Sequence, residues 1–316
     1  MFLGLVLLAG SSVALLAGAE LFAENAAAAG RRLGVTALAV GVLLAGAEPE
    51  ELITAVTAGV RGRPAIGVGD AIGANVTMLT LALGLAAVLR PLPLGGRVRS
   101  YALGATIAGV AAALVLADGR TSRVEGAVLV GLYVVLVAVV WRRERHAPAI
   151  GELAEVLEDD DEDGEVEGRG ERPVVGLGLA LAGIAVMALG GTVAVQGAER
   201  VVETLSITDT AVGLTLVALA TTAEIFALVW AAARRDVSEL AVAAIVGSVA
   251  YNATATLGAA ALTRPAGGLD VRGAAVVAAA LPLVLVAAGG RRGTLNRPAG
   301  LALVAGYGAF VAVALA

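Results

Sequence analysis

The 316-residue chain has no cysteine and no lysine, and its single histidine is His146. Without thiols it can form no disulfide, no zinc–thiolate centre and no thiol nucleophile. Without lysine it cannot carry the G-x-x-x-x-G-K-[ST] loop that cradles nucleotide phosphates. His146 stands in the run WRRERH at the end of an apolar stretch, the context of a solvated loop residue. Charge is scarce as well: Asp, Glu and Arg make up 16% of the residues against 59% hydrophobic ones, and the mean hydropathy is +0.89. Those values lie well beyond a soluble domain and name lipid as the solvent. Gly67-Val68-Gly69-Asp70 fits the G-x-G-D pattern of intramembrane aspartyl proteases. Such an enzyme needs a second aspartate to share a proton, but Tyr101, Tyr133, Tyr251 and Tyr307 are followed by Ala, Val, Asn and Gly, so the Tyr-Asp partner is missing. The chain is therefore read as something other than an enzyme. No cofactor, nucleic acid or obligatory protein partner is expected; membrane lipid and transported cations are.

What the sequence does have is long apolar runs. About 20 apolar residues cross roughly 30 Å of hydrocarbon, and such spans fall near residues 2–22, 34–59, 65–89, 101–117, 124–141, 174–197, 209–233, 237–262, 271–289 and 298–316. The first run lacks a basic leader and continues into Gly18 and Glu20, so it reads as a spanning helix rather than a cleaved signal. Abundant Gly and Ala suit close helix approach in lipid. The expected fold is an all-α integral membrane protein of ten transmembrane helices, arranged as a first five-helix repeat (1–141), an acidic linker (142–172) and a second five-helix repeat (173–316). The linker's eleven acidic residues, in ELAEVLEDDDEDGEVEGRGER, exclude burial and read as a solvated segment. It also lacks the alternating ligand spacing and glycine of a calcium-binding loop.

All 22 positive side chains are Arg. With the N-terminus outside, 15 of them fall in inner loops and 7 outside, which favours that orientation and a cytoplasmic acidic linker. Five spans per half then invert the second half relative to the first. Inverted repeats with a midplane site at their interface recur in transporters.

Two segments repeat one another, GVLLAGAEPEELITAVTAGVRGRPAIGVGDAIGAN from Gly41 and GLTLVALATTAEIFALVWAAARRDVSELAVAAIVGSV from Gly213. Glu50 precedes Ala74 by 24 residues, and Glu224 precedes Ser248 by 24. Gly18-Ala19-Glu20 is echoed by Gly197-Ala198-Glu199. A charge in mid-span costs about 2.5–3.5 kcal/mol on insertion scales and marks an ion path or a functional partner. A hard cation leaving water needs oxygen ligands, and here Glu50, Glu224, Glu51, Glu48, Asn75, Thr221, Thr222, Ser248 and Asn252 are the candidates, with further oxygens on Asp70, Thr77, Thr80, Thr254 and Thr256. Pro49 and Gly46 should break the first helix beside its carboxylates, exposing helix ends to the ion. Glu48 and Glu51 are set off from Glu50 by helical geometry, so either could face a loop mouth. The competing readings are hydroxyls bonded back to their own helix, asparagines bonding between helices and protonated glutamic acids that merely pack.

With these residues in view, the chain resembles the calcium/cation antiporters, which include the sodium/calcium and calcium/proton exchangers. Their repeats read approximately G-T/S-S-x-P-E-L, a basic loop, then G-N-x-x-G-S-N-x-x-N/D. GLTLVALATTAEI resembles the opening of the second repeat, and GDAIGAN and IVGSVAYN the later part of each. The resemblance covers essentially all ten spans and implies a five-plus-five inverted fold in the cell membrane and cation antiport. Glu51 is the ungapped counterpart of the family's glutamate, but a shift by one aligns Pro49-Glu50 and makes the two halves agree. Ala74 and Met78 stand where the pattern has Ser and Asn or Asp. Met78 cannot ligate a hard cation, so several sodium-type oxygens are missing. The reading tilts to Ca²⁺/H⁺ exchange, with Na⁺/Ca²⁺ exchange or another cation/H⁺ antiport as the alternative and a cation channel more remote.

Overall fold

The computed structural model describes residues 1–32, 48–144, 173–226, 238–290 and 293–316. His146, most of the acidic linker, the Arg234–Arg235 loop and parts of the expected second, seventh and eighth spans lie outside the described residues. Within them the chain is helical apart from turns and one pair of two-residue strands. Among the described residues, eight helices are long and apolar enough to cross a membrane.

The first helix, α1 (Phe2–Arg32), runs ten residues past its expected end. The next described helix begins where sequence chemistry allows: Pro49 occupies the first helical position of α2 (Pro49–Val60), where its missing N–H costs nothing. Gly62, at φ +82°, turns the chain sharply, and Pro64 starts α3 (Pro64–Leu89). There follow α4 (Gly96–Val115), α5 (Arg123–Glu144), α6 (Pro173–Leu205), α7 (Asp209–Thr221), α8 (Ser238–Tyr251, continuing to Thr263), α9 (Arg272–Gly289) and α10 (Arg297–Ala314). The seventh span, expected as one helix over 209–233, is interrupted at Thr222 (φ −81°, ψ 12°).

Three helices contain a wide turn of i→i+5 type: Met78–Ala82 in α3, Gly213–Val217 in α7 and Asn252–Thr256 in α8. Such turns are rare and frequent at functional sites. The first and third are 174 residues apart, the spacing that separates Glu50 from Glu224.

The same spacing recurs in the packing. The end of α3 packs on α10, and the end of α8 packs on α5. Gly84 meets Gly300 in the first contact, and Gly258 meets Gly126 in the second. The short strands β1 (Leu92–Pro93) and β2 (Thr294–Leu295) pair antiparallel, Leu92 with Leu295, and join the α3–α4 and α9–α10 connections. Arg120 bridges Gly267 between the α4–α5 and α8–α9 connections. Adding 174 to Pro93 gives Gly267, and subtracting it from Thr294 gives Arg120.

α1 and α6 lie against each other along their length, with Gly18 on Gly183 and Gly4 on Gly197. The main buried cluster is built mostly from α3, α4, α8 and α9, with single residues or pairs from α2, α5, α7 and α10. One end of the bundle gathers Met1, which bonds Thr204, with the α2–α3, α4–α5, α6–α7 and α8–α9 connections. This is called the Met1 end below.

Candidate cation site

The oxygen-bearing residues converge where α2, α3, α7 and α8 meet. α2 opens on three carboxylates. Glu48 stands just before the helix with φ −91° and ψ 78°, and Glu50 and Glu51 occupy its first turn. A helix N-terminus carries a partial positive charge, so these anions sit at the favourable end. From the other half, the break at Thr222 lies two residues before Glu224, which is half-buried.

One oxygen from each of Glu48, Glu50 and Glu224 lies within 4.8 Å of the other two. Calcium–oxygen distances of about 2.3–2.6 Å span at most about 4.6–5.2 Å across the ion, so one cation can reach all three. Isolated carboxylates in such surroundings are strongly disfavoured unless a cation or protons neutralise them. The arrangement brings oxygens from both halves of the chain to where one hard cation could be held.

Neither Glu48 nor Glu51 faces a loop mouth, contrary to the helical-geometry expectation; both are fully buried. Glu48 precedes the helix, so its non-helical backbone frees its side chain to approach Glu50, and its Oε1 accepts a hydrogen bond from Ser248 Oγ. Glu51 lies near Glu48, Asp70 and the Asn252 carboxamide. Neither oxygen of Glu51 nor the Asn252 Nδ2 closes a hydrogen bond.

The remaining candidates divide. Thr221 Oγ1 donates to Asp70 Oδ1 at 3.0 Å, linking α7 to α3 across the halves. Thr222 is buried but bonds back to the Ala218 carbonyl at 2.7 Å, the ordinary fate of a helical hydroxyl. Asn75 Nδ2 donates to the Val249 carbonyl at 3.2 Å, leaving its buried Oδ1 unbonded. Asn252 Oδ1 accepts from Thr256 at 3.0 Å. Thr77, Thr80 and Thr254 bond back to their own helices.

Two side chains carry more weight in the structure than in the sequence. Asp70, one of the further oxygens in the sequence, is fully buried with Oδ2 unbonded; its signal is a lone Asp in the apolar run GVGDAIGAN. Thr54, one turn beyond Glu50, is buried with an unbonded hydroxyl, facing Gly191 of α6.

The family model described as sodium/calcium exchanger protein matches the chain twice, over residues 3–142 and 175–316. CaxA of Alkalimonas amylolytica is 28% identical over 306 residues, covering 90% of this chain and 89% of that protein. The inner membrane protein YrbG of Escherichia coli is 29% identical, covering 74% of this chain and 72% of its own. Among solved structures, the sodium-calcium exchanger NCX_Mj soaked with 2.5 mM Na⁺ and 1 mM Sr²⁺ superposes with a TM-score of 0.62 at 22% identity, over 99% of this chain and 98% of that one. At that identity the likeness concerns the fold.

Proposed function

The chain belongs to the sodium/calcium exchanger protein family, and from that membership we propose that it exchanges Ca²⁺ for H⁺ across the cell membrane, with Glu48, Glu50 and Glu224 as the central carboxylates. The observation that carries the reading is their convergence from two halves into one buried group. Thr221, Ser248, Asn75, Asn252 and Glu51 surround that group and supply further oxygens, while Thr222 completes the α7 break.

Ten crossings, in two inverted sets of five, account for the contacts related by 174 residues. With the Met1 end outside, the described connections alternate between the two ends as ten crossings require. The Arg distribution supports the same orientation, with the 142–172 segment cytoplasmic.

Proton coupling follows from the ligand set. Carboxylate ligands must be deprotonated to bind metal, so cation entry expels protons and protonation expels the cation. Ala74 and Met78 stand in α3 where α8 has Ser248 and Asn252, which leaves fewer neutral oxygens for sodium. The two central helix pairs carrying the site form the stationary core, and α1 with α6 slide against it to open the site to each side in turn.

The test is calcium-45 uptake into proteoliposomes under imposed proton and sodium gradients applied separately. Uptake driven by the proton gradient is expected. Uptake driven only by sodium would replace the proton with sodium as counter-ion, and passive current without coupling would make the protein a channel.

A further inference from the structure

The α1–α6 pair meets the other helices largely through apolar and glycine surfaces, with a charged exception at the Met1 end. Glu199, on α6, lies 3.5 Å from Arg61 Nη2 through Oε2 and 3.5 Å from Arg63 Nε through Oε1. Arg63 also donates from Nη1 to both oxygens of Asp209, at 3.0 and 3.2 Å. Asp209 opens α7, so Arg63 is held from the core side independently of α6. The backbone carrying the two arginines is equally fixed. Gly62 holds a left-handed conformation at φ +82°, and Pro64 starts α3 directly afterwards. The guanidinium groups therefore cannot follow α6 far if it moves. Glu199 and Asp209 keep only 24% and 21% of their side-chain surface exposed, so solvent screens these pairs less than it would at an open surface.

We propose that Arg61, Arg63 and Glu199 act as positioning residues: they latch the α1–α6 pair in the state seen here, with Asp209 retaining Arg63 when Glu199 departs. The latch rests on the reading that α1 and α6 slide. A slide of one helical turn, about 5.4 Å, carries Glu199 out of ion-pairing range, so these contacts must break in each transport cycle. The latch sets how much of the population occupies this state and leaves the cation ligands untouched.

The absence of native cysteine allows clean labelling. Leu205→Cys at the end of α6 and Leu262→Cys on α8, both exposed positions, take spin labels, and pulsed electron resonance reads the distance between them in liposomes. Glu199→Gln is expected to raise the fraction of the second distance at least threefold. Arg61→Gln with Arg63→Gln should give the same shift, and combining all three should add nothing, because one interaction is removed once. One molar choline chloride, which reduces the Debye length to about 3 Å, should mimic Glu199→Gln in the parent and do little in that variant. An unchanged distance distribution in Glu199→Gln would overturn the latch. The sliding motion is judged separately, in the parent protein, by comparing saturating Ca²⁺ at high pH with Ca²⁺-free buffer at low pH. Distances that respond to ions but not to Glu199→Gln overturn the latch alone. Distances that respond to Glu199→Gln but not to ions leave the latch and remove ion-driven sliding.

Discussion

Five carboxylates, Glu48, Glu50, Glu51, Glu224 and Asp70, crowd the middle of this bundle, and four of them are almost completely shut from solvent. One divalent cation neutralises two charges, so the others require partners or protons. Replacing a ligand carboxylate by its amide keeps the volume and removes the charge. Loss of a group that merely orients a ligand costs about 10–100-fold in metal affinity, and Glu50→Gln or Glu224→Gln should reach or exceed the upper figure in calcium-45 exchange. Exchange at the parent rate by both variants would remove the assigned site. Calcium affinity, measured by isothermal titration calorimetry, should fall as pH is lowered, because protons and metal compete for the same oxygens. Proton release on binding should shrink in Glu50→Gln. Asp70→Asn addresses the buried acid between the halves: its amide oxygen can still accept from Thr221, so folding should survive. A drop in exchange would then report the lost charge.

At this scale the sequence was legible where a charge interrupted an apolar run. It was less so where backbone geometry decides. Spacing cannot reveal that Glu48, outside the helix, turns toward Glu50, because one residue's φ and ψ set that direction. Asp70 was visible as a charge, but its link to Thr221 spans 151 residues and depends on how two helices cross.

At the scale of elements, the crossing of α3 and α7 sets the distance between the halves. A Cβ added at Gly73 would stand 2.3 Å from the Leu214 carbonyl oxygen, and one at Gly213 2.4 Å from that of Ile66. Those neighbours are backbone and cannot swing aside. Gly73→Ala and Gly213→Ala should each force the helices apart at a cost of about 1–3 kcal/mol or more, read as earlier thermal unfolding in detergent. Gly104→Ala, on α4 with open space around its Cβ position, should be neutral or stabilising by about 0.5–1 kcal/mol. A Gly73→Ala protein as stable as Gly104→Ala would show that the crossing is looser than its geometry implies. Helix starts were readable from Pro49 and Pro64, which suit a first turn because the missing N–H costs nothing there. The wide turns at Met78 and Asn252 were not, since no residue type marks an i→i+5 turn. Likewise α1 and α6 extend past their apolar runs, through 32 and 205, because a helix can continue into the interface once its neighbour supports it.

For the molecule as a whole, two sets of contacts bear on the proposed sliding of α1 and α6. The β1–β2 pair ties the α3–α4 connection to α9–α10 at one end, and the Arg120–Gly267 bridge ties α4–α5 to α8–α9 at the Met1 end. Both bind first-half elements to second-half elements without involving α1 or α6. Those two helices instead lie on each other through Gly4, Gly18, Gly183 and Gly197, and reach α2 where Gly191 faces Thr54. The Gly191–Thr54 approach, where a residue without a side chain meets α2, resists sliding of the pair little, whereas backbone pairing resists it strongly. The expected outcome is therefore asymmetric. Structures solved with calcium bound and with the site protonated, superposed on α3, α4, α5, α8, α9 and α10, should show α1 and α6 displaced together along the bundle. The strand pair should keep its register, with Leu92 opposite Leu295 in both. If the six superposed helices shift against one another more than α1 and α6 do, the halves rock as bodies, and the two sets of cross-links would have to be hinges rather than clamps.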